Sequence, residues 1–559
     1  MVGSLDRRRV KLRGLERMLT MVDGVSVKIV HSMLVTGDAE TLLRFLPAAL
    51  TRTVNTHPRM RALQVKDEDF MAEIQPPVTI DDVANKKLLR VRRFSESEST
   101  EGDFEDWQAY VEGECNVGFD RYTQFPFFLV VWVDETAERA RLMLFSDHYM
   151  SDGRSGMVVL NCVLEQASLL SMDEKVAKGN AEELPLHPSF YELWLSKNLL
   201  SKALVKGLMA LLGTMIYRSE LKKFSPILPA REDQQDFVVP PVTNSTSASF
   251  AQGDPVRMRE ALSTCRAQGA TFGGALVAAV TVAFYYAAKD LPDYELGQPF
   301  KFLADLDYNM RQRLPCPVEE NQVGAYIAFT DLAWLADEGV DLETTQFWDL
   351  ARRAKKEIDG NLRNTLSMDV VTVIMDQKIN AKIKPSVTER LNIRHSQTSD
   401  ANISNVGRYP FSREFSLASI GHDNQSKLTV TSLHVYNPIP HLGPSAVFFV
   451  SSVDSFCYSM GNKCTDATAK ALFSAWVDIC ENVVNYSYPA VSYFACVAGA
   501  VVDVPFGVAA GVAFGGADTV AFVGFRASGV VDGVGIGFAW KLDLGVEKVR
   551  WLTGYCDED

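Results

Sequence analysis

The sequence predicts a mixed α/β protein in two halves of similar build, and three observations support this prediction. The chain has 559 residues, which is long for one domain. Helical and strand-like patterns of apolar residues alternate in both halves. Between the halves, residues 229–255 are rich in Pro, Ser, Thr and charged residues, as linkers are. We therefore expect domains at 1–228 and 256–487, followed by a Gly/Ala/Val-rich tail at 488–559 whose structure the residues do not indicate.

The first half begins with a helix and continues with two strands. The stretch "DAETLLRFLPAALTRTVNTHPRMRAL" repeats apolar residues at a helical period, and Asp38 is placed to cap it. "FPFFLVVWVDETAERARLMLFSDHY" reads as two strands joined by a polar turn. A long helical pattern from Tyr191 to Tyr217 has two interpretations: a helix of the core or of a tunnel wall, or a helix resting on a membrane surface.

The second half mixes the same element types. "GATFGGALVAAVTVAFYYAA" predicts a closely packed helix, and "TDATAKALFSAWVDICENVV" predicts an amphipathic closing helix. Strands are predicted at "KFLADLDYN", "VGAYIAF", "SKLTVTSLHVY" and "SAVFFVSSV". The repeated order of helices and strands favours two domains of one architecture.

Charge and cysteine content narrow the function classes. The formal net charge of −14 argues against nucleic acid as a partner, although a local basic pocket could still hold an anionic ligand. The nine cysteines form no C-x-x-C pair, which argues against a zinc site or a disulfide framework, and no metal site is expected. The amino terminus has no apolar signal segment, so we expect a cytoplasmic protein, with membrane association left open.

One stretch carries a candidate site, "MLFSDHYMSDGRSGMVVL". A strand-like run ends at His148, Asp152 and Gly153 follow after a turn, and a helical period then begins. Such a turn presents a side chain on rigid supports, and histidine suits general-base work near neutral pH. Taken alone, Asp152 could be a helix cap and His148 a structural histidine.

Several stretches together resemble the CoA-dependent acyltransferase superfamily, which includes condensation domains, chloramphenicol acetyltransferase, wax ester synthases, polyketide-associated acyltransferases and alcohol acetyltransferases. "DHYMSDG" resembles its H-x-x-x-D-G signature, with Asp147 where many relatives have a second histidine. "HPRMRAL", "LDYNMRQRLP" with "NQVGAYIAF", and "ISNVGRYPF" resemble further segments of these proteins. The resemblance covers roughly residues 15 to 485.

The resemblance implies a fold and roles for particular residues. Two chloramphenicol-acetyltransferase-like domains would form a V with a channel between them. His148 would be the general base, and Asp152 would face away from the substrate and pair with an arginine, for which Arg61 is the candidate. Gly153 would let the chain turn. The oxyanion of the tetrahedral intermediate would lie near backbone N–H groups contributed by Ser404, Asn405 and Gly407.

The expected function is an O-acyltransferase that moves an acyl group from acyl-CoA, a co-substrate rather than a bound cofactor, to an alcohol. One alternative is a free-standing condensation domain that joins substrates held by an acyl carrier protein. A second is a catalytically idle relative that acts as a scaffold, against which the intact His148 and Asp152 argue. Small-molecule alcohols or amines are the expected acceptors.

Overall fold

The structure is a computed structural model that describes part of residues 8–486. The gaps within this range are 19, 23–24, 67–69, 95–102, 137, 173–181, 196–202, 204–206, 208–223, 232–245, 292–297, 316, 364–367, 370–371, 374–375, 377–396, 419–424 and 440–442. The predicted tail and most of the predicted helix at 191–217 lie outside the described residues, so both remain predictions.

The strands of the described residues are, in chain order, β1 (Arg9–Lys11), β2 (Thr20–Val22), β3 (Val25–Ser26), β4 (Lys28–Gly37), β5 (Ala62–Gln64), β6 (Met71–Ile74), β7 (Leu89–Phe94), β8 (Phe119–Asp120), β9 (Phe127–Asp134), β10 (Arg139–Asp147), β11 (Ser247–Gln252), β12 (Ala304–Asn309), β13 (Ile327–Asp331), β14 (Gln397–Arg408), β15 (Glu414–Ala418), β16 (Gln425–Tyr436), β17 (Gly443–Ser452) and β18 (Phe456–Asn462).

The helices of the same residues are α1 (Leu15–Met18), α2 (Ala39–Thr56), α3 (Ile80–Asn85), α4 (Trp107–Cys115), α5 (Gly153–Met172), α6 (Phe190–Leu195), α7 (Pro255–Ala267), α8 (Phe272–Ala288), α9 (Ala333–Asp337), α10 (Phe347–Arg363) and α11 (Asp466–Glu481). Short 3₁₀ turns lie at Pro58–Arg61, Phe104–Asp106, Arg311–Arg313 and Val483–Asn485. The helices and strands predicted from the quoted stretches are therefore found where they are described, but the strand predicted at "KFLADLDYN" begins only at Ala304 and that at "VGAYIAF" only at Ile327.

Two six-stranded mixed sheets organise the fold. Sheet I has the order β15-β16-β4-β10-β9-β7, and sheet II has the order β11-β18-β17-β14-β12-β13. Sheet I is antiparallel except for the parallel β7–β9 pair, whereas β14 in sheet II is parallel to both β17 and β12. The predicted mixed α/β class is confirmed. Small sheets β1-β6-β5 and β2-β3-β8 flank sheet I.

The apolar strands of sheet I are buried on both faces. On β9, Leu129 and Val131 join the core that contains α2 and α5, while Phe128 and Trp132 join the cluster around α4. A strand with apolar residues on both faces reads as a continuous apolar run, which explains "FPFFLVVWV". By length and composition α5 could also cross a membrane, but most of it is buried in this core.

Two of the expected domain boundaries do not match the sheets. Residues 247–252, which the composition assigned to the linker, form β11 and pair with β18 at the edge of sheet II. Strands β15 and β16, from the second half of the chain, belong to sheet I, where β16 pairs with β4. The alternation of apolar and polar residues in these segments predicts that they are strands, but it does not indicate which sheet they join.

Candidate active site

The site begins at the five-residue loop between β10 and α5. The loop is held at its start by neighbouring chain segments: Asp147 N–H donates to the Pro126 carbonyl at 2.8 Å, and His148 N–H donates to the Val27 carbonyl at 2.9 Å. These two hydrogen bonds continue the contacts of β10 with neighbouring segments up to the first residue of the loop. His148 thus projects from a fixed backbone, and its side chain is largely buried at 8% exposure.

The tautomer of His148 follows from a short polar contact of its ring. Its Nδ1 lies 2.9 Å from the Ser151 carbonyl oxygen. Because a carbonyl oxygen can only accept a hydrogen bond, Nδ1 must carry the proton that is donated. In the neutral ring the lone pair therefore sits on Nε2, which is the nitrogen that can take up a proton.

Asp152 is held by an arginine from the second half of the chain. Arg311 donates two hydrogen bonds of 3.0 Å to the two oxygens of Asp152, and both side chains are buried. The backbone N–H groups of Ser155 and Tyr326 donate to the same carboxylate at 2.8 and 2.9 Å. Burial raises the pKa of Asp152, but the charge and hydrogen bonds of Arg311 outweigh it, so the pKa lies below its ordinary value.

The prediction that Arg61 pairs with Asp152 is therefore wrong. Arg61 lies just after α2, where its guanidinium donates to the carbonyls of Val54 and Asn55 at 2.8 and 3.1 Å. It also forms an ion pair with Glu183 at 2.5 Å. The last carbonyl groups of a helix lack partners within the helix, and Arg61 satisfies two of them. Its role is to fix the end of α2.

Asp147, which replaces the second histidine of many relatives, also faces an arginine. Its oxygens lie 3.4 Å from nitrogens of Arg121, and all of these side-chain atoms are buried. Asp147 also accepts from Tyr149 N–H at 3.1 Å. Burial raises the pKa of Asp147 more than Arg121 and the hydrogen bonds lower it.

Two glycines follow the loop because neighbouring side chains come close. Gly153 is the first residue of α5, and a Cβ there would lie 3.0 Å from Val406 Cγ1. A side chain at this position would crowd Val406, and the φ of Gly153 is not positive. At Gly156 a Cβ would lie 2.1 Å from Nδ1 of the buried His31, whose Nε2 donates to the Gly153 carbonyl at 2.9 Å.

Sheet II contributes a polar group that the sequence did not reveal. Asp307 on β12 accepts from Asn402 Nδ2 at 3.1 Å and also interacts with Ser404. Burial raises the pKa of Asp307, although these hydrogen bonds and a nearby charge on His148 act in the opposite direction. Alternation along "KFLADLDYN" separates core residues from those on the opposite face of the strand, but it does not show which other segments a residue on that face interacts with.

The three residues of the S-N-x-G stretch are not equivalent. Ser404 lies on the face of β14 that carries Asn402, beside Asp307. Asn405 lies on the opposite face, where its amide nitrogen approaches Gly273 near the start of α8. Gly407 has a φ of 87° at an irregular point of the β14–β17 pairing. The Asn405 side chain is thus turned from the loop, and an oxyanion role for these N–H groups stays a prediction.

The comparison with known families now identifies the fold and chemistry. A family model described as alcohol acetyltransferase matches residues 63–437. The chain belongs to this family. It is therefore an acyltransferase that forms esters with alcohol acceptors, as the sequence predicted. No curated protein matches the chain.

Solved structures share the fold at low sequence identity. Trichothecene 15-O-acetyltransferase from Fusarium sporotrichioides is 12% identical, with a TM-score of 0.62, and the match covers 85% of this chain and 95% of that one. Polyketide synthase associated protein 5 from Mycobacterium tuberculosis is 13% identical with a TM-score of 0.52, covering 85% and 99%. The starter condensation domain of rhizomide synthetase, solved with C8-CoA and Leu-SNAC, is 11% identical with a TM-score of 0.54, covering 87% and 96%.

Proposed function

We propose that His148 is the general base in a direct transfer of an acyl group from acyl-CoA to an alcohol. The observation that supports this most strongly is the tautomer of the ring. With its Nδ1 proton donated to the Ser151 carbonyl, His148 presents the Nε2 lone pair for the acceptor proton. The ring needs no rearrangement before it acts, and the contact also fixes its orientation.

The proposed reaction runs in two steps. Nε2 takes the hydroxyl proton of the acceptor while the oxygen attacks the thioester carbonyl, giving a tetrahedral oxyanion and an imidazolium. The oxyanion then collapses, the carbon–sulfur bond breaks, and the thiolate leaves and takes the proton from the imidazolium. The products are the ester and the free thiol, and His148 returns to its neutral form. N–H groups near Ser404 are candidates to stabilise the oxyanion.

Asp152 supports this chemistry without contacting the substrate. Arg311, Ser155 N–H and Tyr326 N–H occupy its carboxylate, and the ion pair joins the beginning of α5 to the end of β12. The loop that carries His148 is thus held from both sheets. A rigid loop keeps Nε2 at one position relative to the acceptor, which matters because small misplacements cost much rate.

The proposed donor is acyl-CoA, with no permanently bound cofactor. The support is family membership together with the similar fold of a condensation domain that was solved with C8-CoA. A carrier-bound thioester would undergo the same chemistry, because the carbon–sulfur bond that breaks is the same. Purified enzyme offered acyl-CoA alone, and then an acylated carrier protein alone, separates the two donors.

The test is the variant His148→Ala, assayed by mass spectrometry of products from a panel of acyl-CoAs and alcohols. A base typically contributes about 10²- to 10⁴-fold to rate, so product formation should fall by at least about 10²-fold. The melting temperature should stay near that of the wild type. The matched control is His187→Ala, since the His187 ring pairs with the exposed side chain of Glu319 and should be dispensable. Near-normal turnover by His148→Ala would overturn the mechanism.

A further inference from the structure

We infer that Asp307 is a positioning residue that stabilises the imidazolium of His148 formed when the acceptor loses its proton. The inference rests on the proposed role of His148 as the base. It adds a residue of sheet II that lies outside the H-x-x-x-D-G motif.

The position of β12 is fixed relative to the loop by the ion pair described above. Arg311 follows β12 by two residues and lies four residues after Asp307, while Asp152 lies four residues after His148. The two hydrogen bonds of 3.0 Å between Arg311 and Asp152 therefore bring the end of β12 against the His148 loop. Asp307 is on the part of β12 that leads to this contact.

The neighbouring strand β14 gives a second, independent constraint. Its Val406 approaches Gly153, directly after the loop. Val406 packs against the cluster that contains Ile29 and Val435 of sheet I. Ser404 lies on the same side of β14, because its neighbour Ile403 belongs to the core on the opposite face. In the parallel pairing Leu306 lies opposite Ile403, which places Asp307 beside Ser404. Two strands thus place the Asp307 carboxyl group on the face of sheet II that the loop covers.

The surroundings of Asp307 favour an acceptor of positive charge. Its hydrogen-bond donors, Asn402 and Ser404, are neutral. Within the described residues, no lysine or arginine forms an ion pair with it. The side chain is partly buried, and its carboxylate attracts a charged His148. A buried carboxylate is normally paired with a cation, and here that cation forms during the reaction.

The decisive experiment is the pH profile of kcat/KM for Asp307→Asn. A negative charge beside the imidazole favours its protonated form, so removing the charge makes His148 a weaker base. We expect the maximal kcat/KM to fall by about tenfold or more and the acid limb of the profile to shift to lower pH. Asp307→Glu keeps the charge and should leave the acid limb in place.

The matched control is Asp305→Asn. Asp305 is on the same strand and the same face, two residues away, and accepts from Ser399 Oγ at 3.1 Å. Its replacement should leave the acid limb unchanged. If Asp307→Asn raises KM or lowers the melting temperature while the acid limb stays fixed, Asp307 binds the acceptor or supports the fold, and the inference is overturned.

A second variant keeps the inference testable if Asp307→Asn does not fold. Asn402→Leu removes the amide that donates to Asp307, so the ionised carboxylate attracts the imidazolium of His148 more strongly. The acid limb should then shift to higher pH, opposite to the first variant, and an unshifted limb would contradict the inference. His148→Ala separates the two proposals: if it is inactive but no Asp307 or Asn402 variant moves the limb, only the role of Asp307 fails.

Discussion

Asp147 and Asp152 lie on either side of the same loop, both buried and both facing an arginine, yet their pKa values move in opposite directions. The pKa of Asp147 is raised, because burial outweighs Arg121 at 3.4 Å. The pKa of Asp152 is lowered, because two contacts of 3.0 Å with Arg311 and two backbone N–H groups outweigh its burial. A nearby arginine is thus not enough to lower the pKa of a buried aspartate, and the distance and number of its hydrogen bonds decide the direction of the shift.

The two pairs also differ in what they join. Arg121 lies 26 residues before Asp147, within the first half of the chain. Arg311 lies 159 residues after Asp152, in the second half. The first pair secures the loop to its own half, whereas the second couples the loop to sheet II, where Asp307 lies. The stronger contact is the one that fixes the two halves relative to each other at the site.

The largest effect is expected on stability: Asp152→Asn should lose more free energy of unfolding than Asp147→Asn. Removing one partner of a tight buried pair costs about 3–5 kcal/mol, so Asp152→Asn should lower the free energy of unfolding by that amount. Asp147→Asn keeps an oxygen that can accept from Tyr149 N–H and removes a charge that faces Arg121 only at 3.4 Å, so its cost should be smaller, about 1–2 kcal/mol. Urea denaturation measures both, and equal losses would remove the contrast.

A smaller effect is expected from Gly156, which follows the loop, than from the aspartates. Gly156→Ala, next to the Asp152 side, places a methyl group against the His31 ring and should cost about 1–3 kcal/mol. Its control is Gly113→Ala in α4, where a Cβ meets no atom within 4 Å. That exposed helical position should gain about 0.5–1 kcal/mol from the substitution. Thermal melting shows both, and a stable Gly156→Ala would mean that His31 can move aside.

The smallest effect concerns His31 and pH. Burial lowers the pKa of His31 to about 4, so the folded protein leaves it neutral while the unfolded chain protonates it below about pH 6.5. The unfolded state then binds more protons, and stability falls as the pH drops from 6.5 towards 4. The contribution of His31 at pH 5.5 is about 1.4 kcal/mol relative to neutral pH.

The variant His31→Gln separates the pH-dependent stability that is due to His31 from that due to the other buried histidines. Glutamine can still donate to the Gly153 carbonyl but does not titrate. Between pH 7.5 and 5.5 the variant should lose about 1.4 kcal/mol less stability than the wild type. Identical losses would show that His31 is protonated in the folded protein, and that the Asp152 side is more polar than its packing implies.

Much of the fold could be predicted from the sequence because local patterns determine its elements. The apolar runs of β9 and β10 and the periodicity of α2, with its Asp38 cap, require no knowledge of the rest of the chain. The sheet membership of β11, β15 and β16 could not be predicted in this way. Strand pairing between distant segments depends on the whole packing arrangement, and alternation alone does not select the partner.

The local features of the site could also be predicted from the sequence, whereas its long-range contacts could not. His148 and Asp152 lie four residues apart in a strand–turn–helix context that is visible locally. Arg311 is part of the stretch "LDYNMRQRLP", but its partner Asp152 lies 159 residues away. Arg61 is closer to Asp152 in the sequence, and sequence separation alone therefore favoured the wrong arginine. Asp307 carried no signal beyond the alternation of its strand. In each case the missing information was a contact between residues distant in the sequence.

The most direct test of the account is a pair of double-mutant cycles on unfolding free energy. Asp152→Asn is combined with Arg311→Met in one cycle and with Arg61→Met in the other. The account predicts a coupling energy of about 2–3 kcal/mol for Asp152 with Arg311, and additivity within about 0.5 kcal/mol for Asp152 with Arg61. Additive losses in the first cycle, or strong coupling in the second, would contradict the claim that Arg311 of the second half holds the His148 loop.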